Sequence, residues 1–274
     1  MKISDKYAVL LDAVRANKPL VHHITNYVTV NDCANITLAN GASPVMADAI
    51  GEAADITSIA QAVVLNMGTL NEHTIPSMIA AGKSANSKGI PVIFDPVGAG
   101  ASKLRNDTAI NIIKDVKINV LRGNVSEIKF IAGADSQTKG VDASGDDILN
   151  TNDKEQIAKS LAQKLGCTVV ISGAVDIISD GEKIVRIENG HPMLGNLTGT
   201  GCMCSSLIGS FCVAVKDECF KGAVSAMFCM GIAGEIAFEK AGKLGTGSFR
   251  SALHDAVSLM DVSTLKRLAK INEA

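Results

Sequence analysis

Residues 197–202 (Leu-Thr-Gly-Thr-Gly-Cys) alternate two glycines, Gly199 and Gly201, with the hydroxyl residues Thr198 and Thr200, and an apolar helical run over 202–215 follows at once. A glycine turn feeding a helix gathers unpaired backbone N–H groups at the positive end of the helix dipole, which suits a phosphate oxygen. The same spacing also describes a flexible turn ahead of a buried helix, so the residues that share its neighbourhood must decide. Four other pieces carry chemistry: Thr25-Asn26, the run 66–69, the run 95–100 and the run 122–127.

Asp95 directly follows an apolar run, so its carboxylate emerges at a strand end. A hard oxygen ligand there suits Mg²⁺, which favours one or two carboxylates plus phosphate oxygens, although Asp95-Pro96 also starts a turn. Asn124 followed by Glu127 reads as a helix capping box, with Arg122 just before it as a cation able to hold a phosphate through two donors. A cation, a carboxylate and a backbone anion nest on one rim fit phosphoryl transfer, where positioning and charge neutralisation do most of the work.

Other patterns lead nowhere. Gly82-Lys83-Ser84 mimics the end of a P-loop, but Ser77 occupies the position of its first glycine and a helix covers it. His22 and His23 are adjacent on a strand and face opposite ways, which disfavours joint metal binding. Cys202-x-Cys204 lacks the second cysteine pair of a zinc site. Met227, Phe228 and Met230 read as core filler in a long helix.

Short apolar strands are expected at 19–25, 42–46, 62–65, 91–94, 117–121 and 168–172, alternating with helices at 4–16, 28–39, 51–59, 71–87, 107–113 and 153–165. That rhythm predicts a mostly parallel sheet with helices on both faces, and ligands bind such sheets beyond the carboxyl ends of the strands. Asp180-Gly181 between 175–179 and 183–187 predicts a hairpin, hence an antiparallel late edge. Loops and one short helix are expected between 133 and 153, and three helices, 202–215, 219–241 and 247–262, close the chain. No linker or repeat interrupts the pattern, so residues 1–274 are expected to form a single domain.

Composition narrows the class. Of 274 residues, 47% are hydrophobic and 20% charged, as in ordinary globular proteins. A net charge of −2 gives no footprint for nucleic acid or anionic membranes, and the absence of Trp leaves few stacking platforms for bases. The apolar run 202–215 is too short to span a bilayer, the start is amphipathic, and seven cysteines without paired spacing fit reduced thiols. A cytoplasmic protein is expected.

Taken together, the motifs resemble the hydroxyethylthiazole kinase family of the ribokinase-like superfamily. The resemblance rests on residues 24–28 (ITNYV), 35–47 (NITLANGASPVMA), 66–69 (NMGT), 91–100 (PVIFDPVGAG), Arg122-Gly123-Asn124 with Glu127, Ser172-Gly173 with Asp176, and 189–192 leading into 198–202. It implies a three-layer α/β ribokinase-like fold and phosphorylation of the alcohol of 4-methyl-5-(2-hydroxyethyl)thiazole by ATP with Mg²⁺. Carried over residue by residue, Arg122, Asn124 and Ser172 belong to the ATP site, and Asp95 and Glu127 hold the metal. Asn26, Met46, Gly199 and Cys202 line the thiazole site, and Gly199, Thr200, Gly201 and Cys202 form the catalytic loop. A homotrimer with active sites between subunits is also implied. Most superfamily kinases carry an aspartate base where this chain has Cys202, which is expected to pack beside the substrate hydroxyl. Two competing activities, a hydroxymethylpyrimidine kinase and a nicotinamide-nucleotide-hydrate dehydratase, are disfavoured by Cys202 and the GASPVMA run. A weakly catalytic nucleotide-binding regulator is a third reading, and alcohol-dependent ATP consumption distinguishes it.

Overall fold

The computed structural model describes residues 3–133, 150–215 and 218–273. In chain order the elements are α1 (Asp5–Ala8), α2 (Leu10–Asn17), β1 (Leu20–Ile24), α3 (Val30–Asn40), β2 (Ser43–Met46), α4 (Ala53–Ile59), β3 (Ala62–Asn66), α5 (Thr74–Lys88) and β4 (Val92–Asp95). They continue with α6 (Lys103–Asp115), β5 (Val120–Asn124), α7 (Val125–Ala132), α8 (Thr151–Leu165), β6 (Thr168–Ser172), β7 (Asp176–Ser179) and β8 (Ile184–Ile187). After a 3-10 turn at Pro192–Asn196 come α9 (Thr200–Val213), α10 (Cys219–Ala241), α11 (Thr246–Ser258), α12 (Val262–Leu268) and β9 (Ile271–Glu273).

The strands form one sheet in the order β2-β1-β3-β4-β5-β6-β7-β8-β9. Pairing is parallel from β2 through β6 and antiparallel from β6 to β9. Alternation along the strands sorts side chains into two cores. Val64, Ile93, Val120 and Val170 face the layer that includes α9, α10 and α11. Val63, Leu65, Phe94 and Leu121 face the layer of α5 to α8. Helix α9 lies directly on the sheet because Gly209 has no side chain; a Cβ there would stand 2.9 Å from a Val64 methyl and 3.1 Å from one of Val21. That close seat brings the N-terminus of α9 to the carboxyl rim.

Several expectations shift. Arg122-Gly123-Asn124 is not a cap after the strand but its last part, since β6 pairs with all three residues. The last expected helix stops at Ser258, short of 262, and a further helix that was not expected, α12, starts after Asp261, whose side chain accepts the Thr264 N–H. The edge strand β9 is too short to show periodicity and was not foreseen. Helix α10 is long and apolar enough to cross a membrane by composition, yet 83% of that stretch is buried within the protein. The loops and short helix expected at 133–153 fall mostly on residues 134–149, which lie outside the described residues.

Candidate active site

Along the carboxyl rim, from β2 inward, stand Met46, Asn26 just beyond β1, Asn66, Asp95, Arg122 with Asn124, and Ser172. Register fixes two neighbours: Asn66 pairs with Asp95, and Asn124 with Ser172. The parallel sheet therefore converts sequence-distant strand ends into one row.

Asp95 is fully buried. Its Oδ2 accepts from Ser205 Oγ at 2.6 Å, Asn66 Nδ2 at 3.0 Å and Arg122 Nη1 at 3.5 Å. Its Oδ1 is buried and has no hydrogen-bond partner among the described residues. Burial pushes the Asp95 carboxyl above the ordinary range, and Arg122 is the strongest influence against that rise. Burial also works against the charge on Arg122, but Asp95 and the surrounding acidic groups more than offset it, so the guanidinium stays protonated. Arg122 Nη2 donates to Ser172 Oγ at 2.7 Å, and a Cβ on Gly201 would stand 2.5 Å from Arg122 Nη1. Gly201 is thus the residue that lets the start of α9 lie against the cation.

The nest has the form its spacing predicts. Gly199 caps α9 with φ +89°, a conformation that L side chains rarely adopt, and no side chain caps the helix. The first-turn N–H groups of α9 therefore have no side-chain cap among the described residues. Helix α7 is the opposite case. Asn124 Oδ1 accepts the Glu127 N–H at 2.9 Å and Glu127 Oε2 accepts the Asn124 N–H at 2.8 Å, a complete capping box. Glu127 Oε1 accepts the Gly98 N–H at 2.8 Å, so both carboxylate oxygens hold backbone donors. Burial and the nearby Asp95 push the Glu127 carboxyl up to about 7.

Cys202 lies between these groups and the β1 side. Its Sγ accepts from Asn26 Nδ2 and Asn66 Nδ2, each at 3.3 Å. Asn26 Nδ2 also donates to Asn66 Oδ1 at 2.9 Å, closing a relay from Asn26 through Asn66 to Asp95. Burial, then Asp95, raises the thiol above its ordinary range, which keeps it neutral near pH 7. Met46 ends the edge strand in register with His23.

Four residues with roles at the rim were not singled out from the sequence. Asn66 was noted only as part of a strand-end motif, and it links Cys202 to Asp95. Ser205, three residues after Cys202 and hence on a neighbouring helix position, reaches Asp95. Asp176, noted only within a motif, lines the cavity described below. Arg105 had no signal beyond being, with Lys103, one of two cations near a helix start. Its guanidinium donates to the carbonyls of Met67 at 2.7 Å, Val97 at 2.5 Å and Gly68 at 2.6 Å, tying the β3 and β4 loops together.

A cavity of about 470 Å³ opens beside Arg122 and Ser172, walled by Asp176, the segment 189–195, Thr200, Gly201 and the thioethers Met227 and Met230. The two methionines are core filler and also cavity wall. His22 and His23 have separate partners, Thr57 Oγ1 and the Ala47 carbonyl for one and the Val21 carbonyl for the other. Lys83 pairs with Asp115 on the outside of α5 and takes no part in a phosphate loop.

The model of the Hydroxyethylthiazole kinase family matches residues 11–263. A hydroxyethylthiazole kinase of Ruminiclostridium cellulolyticum is 62% identical over 264 residues, covering 96% of each chain. The solved structure of a hydroxyethylthiazole kinase protein from Pyrococcus horikoshii is similar with a TM-score of 0.88 at 39% identity, covering 98% of each chain. A ribokinase-like superfamily protein from Enterococcus faecalis shares the fold at a TM-score of 0.59 and 12% identity, covering 90% of this chain and 93% of that one. With a family match spanning almost the whole length and a relative this close, the chain belongs to the hydroxyethylthiazole kinase family.

Proposed function

We propose that the chain transfers the γ-phosphoryl group of ATP to the hydroxyethyl oxygen of 4-methyl-5-(2-hydroxyethyl)thiazole. The observation that carries this reading is the uncapped start of α9 at Gly199. It stands between the cavity beside Arg122 and Ser172 on one side and the Asn26–Asn66–Cys202 group on the other. ATP fits the cavity side, with Arg122 and Ser172 on its phosphates. The alcohol fits the side of Asn26, Cys202, Gly199 and Met46. The alcohol oxygen forms the new P–O bond, the bond to ADP breaks, and the hydroxyl proton passes to the phosphoryl oxygens. The N–H groups of Thr200, Gly201 and Cys202 face the charge that spreads over the transferring group.

The Asp95 donor set suits Mg²⁺. Oδ1 is an unpartnered buried oxygen, and no cluster of three or more His, Cys, Asp or Glu side chains capable of holding a metal is present among the described residues. A cation with one or two protein carboxylates and otherwise water or phosphate ligands is Mg²⁺-like. Asp95 would hold it directly, while Glu127 fixes the Gly98 and Asn124 backbone around it. When bound, Mg²⁺ supplies neutralisation of phosphate charge.

Exposed apolar side chains collect around edge strand β2, including Tyr27, Leu38, Ile50 and Ile59. Their exposure on the single chain supports a homotrimer that would bury them and in which Met46 would border the site of a neighbour, and sedimentation of the purified chain reads its mass directly. None of the seven cysteines is in a disulfide, in keeping with a reducing, cytoplasmic setting.

The direct test is ATP consumption with and without the thiazole alcohol. Turnover is expected only with it, and tight ATP binding without alcohol-dependent turnover would refute the kinase reading. Cys202 has its own test. A neutral thiol that accepts two amide hydrogens is no base, so Cys202→Ala is expected to keep kcat within about tenfold. Cys202→Asp gives the same amides a carboxylate to hold and places a base near the alcohol, so kcat is expected to match or exceed the parent. A loss of about a thousandfold in Cys202→Ala with alcohol binding intact would make the thiol a participant.

A further inference from the structure

Six residues of one cavity wall, Asn189, Gly190, His191, Pro192, Leu194 and Gly195, come from the segment between β8 and α9. Four of these six meet a single face of α10. Gly231, Gly234, Glu235 and Phe238 stand at i, i+3, i+4 and i+7 and so share a stripe. A Cβ on Gly231 would lie 2.6 Å from the Asn189 carbonyl oxygen, and one on Gly234 would lie 2.7 Å from Leu194 Cδ1. The ring of Phe238 stacks on His191 with centroids 3.5 Å apart and planes 18° from parallel.

Glu235 is the polar anchor of this stripe. Its Oε1 accepts from the Gly190 N–H at 2.9 Å, Asn189 Nδ2 at 3.2 Å and Lys270 Nζ at 3.1 Å. Asn189 in turn donates to the Leu268 carbonyl at 2.9 Å and accepts the Lys270 N–H at 2.7 Å. One carboxylate thus joins the cavity wall, the core helix and the segment leading into β9. Gly190 has φ +147°, in the region open to glycine and strained for other residues, so its own backbone preference does little to hold the wall in place. A charge-assisted hydrogen bond to its N–H supplies that restraint. Most of the wall's polar groups are occupied, those of Asn189 as above and His191 Nδ1 by the Met193 N–H. The fit of a base therefore depends largely on shape, and shape depends on where the wall is held.

We propose that Glu235 and Phe238 are positioning residues for the nucleotide, holding the 189–194 wall against the base while contributing nothing to the alcohol site or to phosphoryl transfer. The proposal rests on the cavity being the ATP site. It is tested by steady-state kinetics of the full-length protein with ATP and the thiazole alcohol varied separately, and by calorimetric titration of a non-hydrolysable ATP analogue. Glu235→Ala is expected to raise KM for ATP and the analogue Kd about tenfold, the effect of losing one charge-assisted hydrogen bond. KM for the alcohol and kcat at saturating ATP should stay within about twofold of the parent. Glu235→Gln keeps an acceptor for Gly190 and should recover most of the affinity. Phe238→Leu, at a position 36% exposed, removes only the stack and should raise KM for ATP in the same selective way even if Glu235→Ala folds poorly. The proposal is overturned if KM for ATP stays within about twofold in Glu235→Ala and Phe238→Leu, or if both KM values and kcat move together. Ser172→Ala separates this failure from that of the underlying reading. If it raises KM for ATP while the α10 variants do not, only the wall assignment falls. If none of them affects ATP, the cavity is not the nucleotide site and both readings fall.

Discussion

Asp95→Asn is expected to lower kcat by about 100- to 1000-fold, the loss typical of removing one charge-stabilising group from a transition state. Titration of nucleotide without Mg²⁺ should give nearly the parent affinity. The geometry explains why an isosteric change does so much. In the parent, Oδ2 accepts from Ser205, Asn66 and Arg122, while Oδ1 is buried with no hydrogen-bond partner among the described residues. An asparagine keeps its one carbonyl oxygen where these three donors converge, because the reverse orientation sets N–H against N–H. The amide NH₂ then occupies the Oδ1 position. A hard cation or a water serving it would meet hydrogen atoms there in place of a lone pair, and Arg122 would lose its nearest anion. The second effect also has a structural cost, since breaking a buried ion pair leaves one charge uncompensated. Thermal unfolding measured alongside the kinetics separates the two: a variant that stays folded at the assay temperature yet turns over slowly has lost chemistry. A loss of kcat below about tenfold would mean that Asp95 only braces Arg122.

The capping box between Asn124 and Glu127 shows how far a sequence pattern reaches. Local chemistry made both of its hydrogen bonds legible, because Asn and Glu at that spacing close on their own backbone wherever a helix starts. The use of Glu127 Oε1 was not legible. It accepts from Gly98, a loop residue of another strand, and that pairing depends on β4 and β5 being neighbours. The same division holds elsewhere. Gly199 reads as a turn glycine, and its positive φ agrees. Gly201 reads identically, but its absent side chain serves a different purpose: it makes room for the Arg122 guanidinium.

Strand interiors were legible from their uniform apolar runs, and the Asp180-Gly181 turn from its hairpin chemistry. The β5 boundary was missed because Arg-Gly-Asn has the composition of a turn, and β6 overrides it by supplying a ladder partner. Arg105 was missed for a related reason. Its three acceptors are carbonyls of two loops, and carbonyl direction is invisible until the loops are folded. Whether a polar residue touches ligand or holds the groups that do is a matter of tertiary placement, which spacing does not encode.

Asp176 carries the second large expectation, a gain of stability on neutralisation that depends on pH. The residue begins β7, lines the cavity beside Arg122 and is 7% exposed. Burial pushes its carboxyl up to about 7, against the pull of the Gly173 N–H that donates to Oδ1 at 2.9 Å and the charge of Arg122. In the unfolded chain an aspartate titrates near about 3.9. Between those values the folded protein keeps a proton that the unfolded chain has released. Stability therefore falls as pH rises through this window and reaches its full deficit above about 7, a cost of roughly 2–4 kcal/mol. Asp176→Asn retains an oxygen for the Gly173 N–H and has no charge to desolvate. It is expected to melt about 5–10 °C above the parent at about pH 8, with the gain reduced to about a third near pH 5 and vanishing below about pH 4. Glu127 adds a slope of the same sign to both proteins and cancels in the difference. A Tm difference that stays constant across that pH range would mean that Asp176 ionises as it does in water. A gain that appears only at high pH would mark the carboxylate as a group retained at a standing cost to the fold, beside the Arg122 that the proposed reaction requires.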